Sequence, residues 1–195
     1  SPNAAGLRKS VYTEDLAVKH KFPLIRLHEG GGGSVAGPSK EKKGYGGDPV
    51  FARSRFKSVA QTLKEVPVVS AALGPVAGLP ASRFVGSHFR IMVKDNAQIL
   101  VAGPAVVSRA FGKDFTKEEL GGSDVHKKNG VTDNIAESEE DAFNQIKKFL
   151  SFFPTNIYEL PPKKDSKDAT GRSEKILEEI IPKDRKKTYE MREII

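Results

Sequence analysis

Apolar residues along this chain recur at alternating strand and helix spacings. Residues 12–21 carry them at helical spacing, and a short apolar strand follows at 24–27, just ahead of glycines 30–33. Residues 66–73 predict a buried strand that runs directly into a second glycine-rich turn at 74–78. Two predicted strands are therefore each followed by a glycine segment.

The middle of the chain repeats this alternation. A helix is expected to begin at Asp48 and Pro49 and to present an apolar face. That face is expected to contain Val50, Phe51, Phe56, Val59, Ala60 and Leu63. Residues 89–93 and 99–102 predict a strand pair. Strands that alternate with helices indicate an α/β fold.

Helix-start signals follow in the next part of the chain. Gly103 and Pro104 open a helix that is expected to reach Ala110. Thr116 and Glu119 have the spacing of a capping box, which predicts a short helix that ends at glycines 121 and 122.

A last amphipathic helix is expected to begin at Ser138 and Asp141 and to stop before Pro154. Its apolar face is predicted to consist of Phe143, Ile146, Phe149 and Leu150. Residues 161–172 are polar and predict an exposed connector. A short helix is expected at 173–181.

Composition excludes several kinds of site. The 195 residues contain no cysteine, which excludes disulfides, thiolate zinc sites and cysteine nucleophiles. No apolar run approaches the roughly 18 residues of a membrane span, and residue 1 does not begin a signal peptide. The sequence therefore predicts no membrane association.

The net charge of +7 has two readings: attraction to an anionic partner, or a solvated basic surface. An anionic partner would be nucleic acid or a phosphorylated cofactor. The basic residues are dispersed, and no RNA-binding aromatic motif or zinc finger lies among them. Nucleic acid is therefore not an expected partner.

Side-chain catalysis leaves little trace in the sequence. The four histidines lack metal-ligand spacing, and no G-x-S-x-G motif occurs, so no metal site is expected. His28 beside Glu29 is either an acid–base pair or a satisfied strand end. The two glycine segments are either tight turns or places where backbone N–H groups meet a ligand oxygen. Neither matches a nucleotide-binding motif.

Three segments in the middle of the chain carry recognisable motifs. Residues 68–78 end Gly74-Pro75-Val76-Ala77-Gly78, residues 89–95 read Phe-Arg-Ile-Met-Val-Lys-Asp, and residues 101–107 read Val-Ala-Gly-Pro-Ala-Val-Val. In this order they resemble the G-P-C-A-G-G turn, the F-x-x-M-V-K-D strand and the T-G-P-D-V-V helix start of carboxyltransferase β subunits of biotin-dependent acyl-CoA carboxylases.

The resemblance continues in order to the end of the chain. Residues 119–131, with His126, are similar to an E-L-G-G…H…S-G-V segment. Residues 140–154 are similar to a D-A…L-S-Y-L-P segment, and residues 189–195 to a Y-x-M-x-x-I-I lead into a second domain. Each motif is short, and the six together are collinear.

This resemblance implies a crotonase-like fold built of repeated ββα units. Residues 1–160 would be part of the acyl-CoA-binding N-terminal domain, and residues 161–195 a connector and the start of a C-terminal domain. The C-terminal domain of a neighbouring subunit would bind carboxybiotin. The implied partners are an acyl-CoA, a biotin carboxylase or biotin carboxyl carrier subunit, and further copies of the chain in a hexamer.

The resemblance also implies which residues carry the site. Carboxybiotin supplies both carbon dioxide and the base, so the protein must position the thioester and stabilise its enolate oxygen. The backbone amides of Gly78 and Leu79 match the oxyanion hole of the family. The residues implied to lie along the acyl-CoA are Gly31, Gly32, Gly33, Ala77, Gly103 and Pro104.

Two departures from the family pattern leave alternatives open. Leu79 stands where a second glycine is usual, and Pro80 is expected to hold Leu79 extended. The arginine of the S-G-G-A-R turn is absent near Ser34. A related acyl-CoA decarboxylase subunit or a catalytically reduced scaffold of the same fold remains possible, and the isolated fragment is expected to be inactive. The compartment would be the mitochondrial matrix in a eukaryote and the cytoplasm otherwise.

Overall fold

The structure, a computed structural model, describes residues 4–31 and 55–195. Gly32, Gly33 and the helix start predicted at Asp48 lie outside the described residues. The chain divides into two compact units, Ser1–Pro162 and Lys163–Ile195. The helices of the first unit are α1 (Ala4–His20), α2 (Arg55–Glu65), α3 (Leu79–Val85), α4 (Pro104–Phe111), α5 (Lys117–Gly121), α6 (Ser123–Asn129) and α7 (Glu139–Leu150). Its strands are β1 (Leu24–Gly31), β2 (Val68–Ala77), β3 (Phe89–Val93), β4 (Gln98–Leu100) and β5 (Asn134–Ala136).

The strands form a five-stranded sheet in which every described pairing is parallel. The order is β1-β2-β3-β5, and β4 also pairs with β2. Parallel strands require crossover connections, which are mostly helices here. The α/β class predicted from the alternation of strands and helices is confirmed.

Strand β2 changes partner halfway along its length. Its residues Val69–Ala72 pair with β3, whereas Pro75–Ala77 pair with β4. The side-chain amide of Asn96 donates to the carbonyl of Leu73, between the two pairings. The prediction that residues 89–93 and 99–102 pair with each other was therefore wrong, because both segments pair with β2 instead.

Where the structure describes them, the two predicted glycine turns are mostly strand. β2 continues through Gly74 to Ala77, and β1 continues through Gly30 to Gly31. The register shifts between His28 and Gly30, which accommodates the extra residues of β2. An ideal Cβ on Gly74 would lie 3.0 Å from Cγ of Glu29. Only Gly78 remains as the turn after β2.

The core of the first unit lies where β2 and β3 meet α3 and α7. Phe84 of α3, Ile91 and Met92 of β3, and Ile146 of α7 are buried there. Ser138 caps α7 by accepting from the amide of Asp141, as predicted. The apolar face predicted for the second helix was wrong at Phe56, which is 65 % exposed, and at Ala60, which is also exposed.

The second unit carries little regular structure. Residues 161–172 contain no helix or strand and are exposed, as the connector prediction expected. The helix predicted at 173–181 is shorter, α8 (Leu177–Ile180), and a single 3-10 turn follows at Met191–Glu193. Across the described ranges of both units, no helix has the length and apolar character to cross a bilayer.

Helices α5 and α6 pack tightly on β4. The capping box of Thr116 and Glu119 is present as predicted. His126 of α6 donates from Nε2 to the carbonyl of Ile99, at 2.8 Å. An ideal Cβ on Gly121 would lie 2.1 Å from that same carbonyl oxygen. The close approach therefore requires glycine at 121.

We expect Gly121→Ala to lower the free energy of unfolding by about 1–3 kcal/mol, because the added methyl forces α5 away from β4. Gly171→Ala is the matched control, since no atom lies within 4 Å of an ideal Cβ at Gly171. Urea unfolding monitored by circular dichroism measures both. Equal midpoints for the two variants would contradict the packing described.

Candidate functional site

The carboxyl ends of three neighbouring strands meet at one edge of the sheet. In the register of the strands, Ala77 of β2 lies beside Gly31 of β1 and beside Leu100 of β4. Gly78 follows Ala77 directly, and Gly103 is three residues beyond Leu100. In open parallel sheets, ligands bind outside the carboxyl ends of the strands. This edge is therefore the candidate functional site.

Gly78 turns the chain sharply from β2 into α3. Its φ is 67° and its ψ is −135°, a conformation that residues with a Cβ rarely adopt. The Gly78 carbonyl accepts the first hydrogen bond of α3, from the amide of Ser82 at 3.1 Å. The helix therefore begins directly at the carboxyl end of β2.

The first turn of α3 leaves backbone donors without a partner inside the helix. Leu79 is the first residue of α3, so its N–H has no intrahelical acceptor. The prediction that Pro80 holds Leu79 extended was wrong. Proline is tolerated in a first helical turn, because the N–H that it lacks would have no partner there. The Leu79 side chain is half-buried and Gly78 is exposed.

Helix α3 is held firmly on the sheet. Ala81 and Phe84 are buried against β1 and β2, and the Phe84 ring meets His28 edge-on at 6.0 Å between centroids. At its far end, the amide of Gly86 donates to the carbonyl of Ser82. The position of the first turn is therefore set by the packing of the whole helix.

A second helix begins near the same edge. Gly103 is the N-cap of α4 with extended backbone, and Pro104 occupies the first turn, as predicted. The Gly103 carbonyl accepts from the amides of Val106 and Val107. No residue of α4 is buried, and Val106 and Phe111 are exposed.

The structure thus brings several of the predicted site residues to one edge. Strand register places Gly31 beside Ala77, and Gly78 and Leu79 follow Ala77 in the chain. Gly103 and Pro104 follow the neighbouring strand β4. Gly32 and Gly33 lie outside the described residues.

His28 and Glu29 do not form an acid–base pair. Successive strand residues point to opposite faces, and His28 points into the protein, where its Nε2 lies 3.1 Å from Oγ of Ser70. Ser70 in turn bonds Ser87 at 2.7 Å. Burial, then the charges of Arg83 and Arg26, lower the pKa of His28 to about 4. His28 is a neutral, buried hydrogen-bonding residue.

Sequence reasoning missed a buried charged cluster between α1, α2, β1 and α3. The Glu14 carboxylate accepts from Arg26 at 2.9 Å, from Ser58 at 2.6 Å, and from Arg83. Burial raises the Glu14 pKa, but the Ser58 hydrogen bond and the two arginines outweigh burial and leave it lowered. The signal in the sequence was β1 itself, where Arg26 and His28 take every second position.

In the described part of the chain, no group of three or more His, Asp or Glu side chains lies close enough together to hold a metal ion. The chemistry at the sheet edge is instead that of main-chain donors. Two amides in a sharp turn at a helix start suit an oxygen that gains negative charge.

Because His28 is held neutral, acid should destabilise the protein. The unfolded chain takes up a proton near pH 6.5 and the folded chain only near pH 4, so this stability is complete above about pH 6.5 and lost as pH falls towards 4. The loss amounts to about 3 kcal/mol. We expect His28→Gln to flatten the pH dependence of urea unfolding between pH 6.5 and 5. His20→Gln, at an exposed histidine, should leave the dependence unchanged, and an unaltered slope in His28→Gln would contradict this account.

Comparison with known proteins gives a consistent set of relatives. The carboxyl transferase domain family matches residues 2–195. The chain is 30 % identical over 188 residues to the methylmalonyl-CoA decarboxylase subunit alpha of Veillonella parvula. This alignment covers 96 % of this chain and 36 % of that protein. The chain is 31 % identical over 182 residues to the propionyl-CoA carboxylase beta chain of Roseobacter denitrificans, with 93 % and 34 % covered.

A human relative and a solved structure agree with these. The mitochondrial propionyl-CoA carboxylase beta chain of Homo sapiens is 29 % identical over 196 residues, covering 100 % of this chain and 35 % of that protein. The crystal structure of transcarboxylase 12S with methylmalonyl-coenzyme A and methylmalonic acid bound superposes with a TM-score of 0.69 at 26 % identity, over 100 % of this chain and 36 % of that one.

The chain spans about a third of the length of these relatives. Its solved neighbours are carboxyltransferases of the crotonase-like fold, which confirms the predicted fold. The family model matches nearly every residue of the chain. The relatives are subunits of an acyl-CoA carboxylase and of an acyl-CoA decarboxylase. The chain therefore belongs to the carboxyl transferase domain family.

Proposed function

We propose that this chain is the acyl-CoA-binding part of the carboxyltransferase component of a biotin-dependent acyl-CoA carboxylase. In this proposal, the amides of Gly78 and Leu79 bind the thioester oxygen as it becomes an enolate. The observation that carries the proposal is the turn at Gly78, which starts α3 at the carboxyl edge of the sheet with donors that have no partner within the helix.

The site fits a thioester substrate for two physical reasons. Gly78 is exposed, so a ligand can approach the turn. The positive φ at this position favours glycine, and glycine has no side chain that could cover the amides. In comparable oxyanion holes, each donor contributes about 3 kcal/mol of transition-state stabilisation.

The remainder of the acyl-CoA would run along the same edge. Gly31, at the end of β1, would lie along the substrate together with Gly32 and Gly33, and Ala77 would line the turn. Gly103 and Pro104 would present the start of α4, whose positive end suits an anionic group. The relatives support a CoA thioester as substrate, since they are a methylmalonyl-CoA decarboxylase subunit and a propionyl-CoA carboxylase beta chain.

Carboxybiotin, carried by a partner subunit, would supply the carboxyl group and the base that removes the α-proton. The residues of this chain would then hold the thioester in one orientation and stabilise its oxygen. No side-chain acid or base is needed at this edge. The position of His28 agrees with this, because its side chain points towards the buried Ser70 and not towards the candidate site at the sheet edge.

The rest of the assembly is part of the same proposal. Residues 1–160 would belong to the N-terminal domain, and residues 161–195 would lead into a C-terminal domain. The partners would be a biotin carboxylase or carrier subunit and further copies of the chain, in keeping with the hexamer named for transcarboxylase 12S. The compartment would be the mitochondrial matrix in a eukaryote and the cytoplasm otherwise.

We expect Leu79→Pro to lower kcat for acyl-CoA carboxylation about 100-fold or more, because it deletes one amide donor at a helix position that tolerates proline. The measurement uses the full-length protein assembled with its biotin-bearing partner, with propionyl-CoA as substrate. Leu79→Ala is the control, since it keeps the N–H and removes only the side chain. A Leu79→Pro enzyme as active as Leu79→Ala would sink the proposal.

The decarboxylase of Veillonella parvula supports a second candidate, an acyl-CoA decarboxylase subunit that uses the same enolate chemistry. Product analysis separates the two. Net formation of methylmalonyl-CoA from propionyl-CoA, with ATP and bicarbonate supplied, supports the carboxylase, and net loss of carbon dioxide from methylmalonyl-CoA without ATP supports the decarboxylase. Failure of the assembled protein to bind either thioester in calorimetry would leave only a scaffold of the same fold.

A further inference from the structure

Helix α3 is too short to hold its own position. It has seven residues, and isolated helices shorter than about 12–15 residues are only marginally stable in water. Its N-cap is Gly78, and no side chain caps the first turn. In the proposed function the amides of Gly78 and Leu79 are kept for the substrate, so they cannot anchor the helix either. The contacts that fix α3 must therefore lie beyond its first turn.

The polar contacts of α3 with other elements lie at its carboxyl end. Arg83 donates from Nη1 to Oγ of Ser10 at 2.9 Å and from Nη2 to the carboxylate of Glu14. Both of these partners belong to α1. Arg26 of β1 donates from Nη1 to the carbonyl of Gly86 at 3.1 Å and to that of Arg83 at 3.4 Å. The last turn of α3 is therefore tied to α1 and to β1.

These bonds fix what apolar packing leaves adjustable. Ala81 and Phe84 bury α3 on the sheet, but apolar burial has no direction and permits a helix to slide or rotate. Hydrogen bonds of a guanidinium are directional, so donation to two acceptors sets its orientation as well as its distance. Glu14 is itself held by Oγ of Ser58 at 2.6 Å, and its side chain is only 5 % exposed. Arg83 is thus bonded to a carboxylate that has a fixed position.

Arg83 is coupled to the candidate site through the helix itself. Residues four apart lie on the same face of a helix, so Arg83 lies one turn beyond Leu79 on one face of α3. The helical pattern also joins the amide of Arg83 to the carbonyl of Leu79. A displacement of Arg83 is therefore passed directly to the turn at Gly78.

We propose that Arg83 is a positioning residue for the candidate site. Its bonds to Glu14 and Ser10 hold α3 at the angle at which the amides of the turn at Gly78 point towards the thioester oxygen. Without these bonds α3 would stay folded on the sheet, but the direction of its first turn would vary. The inference rests on the proposed function and adds to it a residue that acts without touching the substrate.

The kinetics of Arg83→Gln test this role in the full-length protein, assembled with its biotin-bearing partner and supplied with propionyl-CoA. A misplacement of about 1 Å can cost about 100-fold in rate, so we expect kcat to fall about tenfold or more. The value of kcat/KM should fall by the same factor, because the lost alignment matters in the transition state and not in ground-state binding. The stoichiometry of propionyl-CoA binding in calorimetry counts the intact sites, so that unfolded protein is not mistaken for slow protein.

Arg90→Gln is the matched control. The Arg90 side chain is 20 % exposed and that of Arg83 is 18 % exposed. The Arg90 guanidinium donates to Asp133 at 2.9 and 2.8 Å, and Asp133 lies beside β5 and not on α1 or α3. Both variants lose an ion pair and should unfold at a lower temperature, but only Arg83→Gln should lower kcat per intact site. An equal kcat in the two variants overturns the proposal.

Two milder variants cover the case in which Arg83→Gln does not fold. Arg83→Lys keeps the positive charge beside Glu14 but loses the fork of donors, so its kcat should lie below that of the unaltered protein and above that of Arg83→Gln. Ser10→Ala removes a single bond of Arg83 and should lower kcat by a smaller factor. An unaltered kcat per intact site in both variants overturns the proposal.

Hydrogen exchange distinguishes a failure of this inference from a failure of the proposed function. Measured by mass spectrometry on peptides that contain residues 78–86, exchange should be faster in Arg83→Gln than in Arg90→Gln, because α3 has lost its anchor. If Leu79→Pro lowers kcat while Arg83→Gln matches Arg90→Gln in both exchange and kcat, only this inference fails. If Leu79→Pro keeps full activity, the proposed function fails, whatever the exchange shows.

Discussion

The Glu14 carboxylate joins four elements of the first unit at one buried point. It accepts from Arg26 of β1, Arg83 of α3 and Ser58 of α2, and it belongs to α1 itself. Removing one member of such a buried pair typically costs about 3–5 kcal/mol, because the remaining charge is left without compensation. This carboxylate therefore determines how the helical layer sits on β1, and with it the position of α3.

The position of α3 matters because the helix begins where β2 ends. Strand β2 pairs first with β3 and then with β4, so its last residues lie between β1 and β4. Gly78 turns the chain out of that sheet edge with a φ of 67°. The geometry of the candidate site is thus produced by a strand that changes partner and a helix that is anchored by buried charge.

The site acts through the main chain, and this explains why its sequence signal is weak. Amide donors exist at every residue except proline, so their function depends on direction and not on residue type. Glycine at 78 is the exception, because its conformation excludes a Cβ. The charged side chains of Glu14, Arg26 and Arg83 lie in the buried cluster and not at the candidate site.

The sequence by itself determined the α/β class, the capping box of Thr116 and Glu119, the helix starts at Gly103 and Ser138, and the collinear motifs that resemble carboxyltransferases. These are local signals of spacing, capping and turn chemistry, which a chain carries without its neighbours. The tertiary structure alone decided that Gly74 and Gly30 lie in strands, that Leu79 begins a helix after Gly78, and that Arg26 and His28 face inward. Each depends on hydrogen bonds or charges from segments distant in sequence, since pairing with a neighbouring strand or a buried carboxylate outweighs local preference.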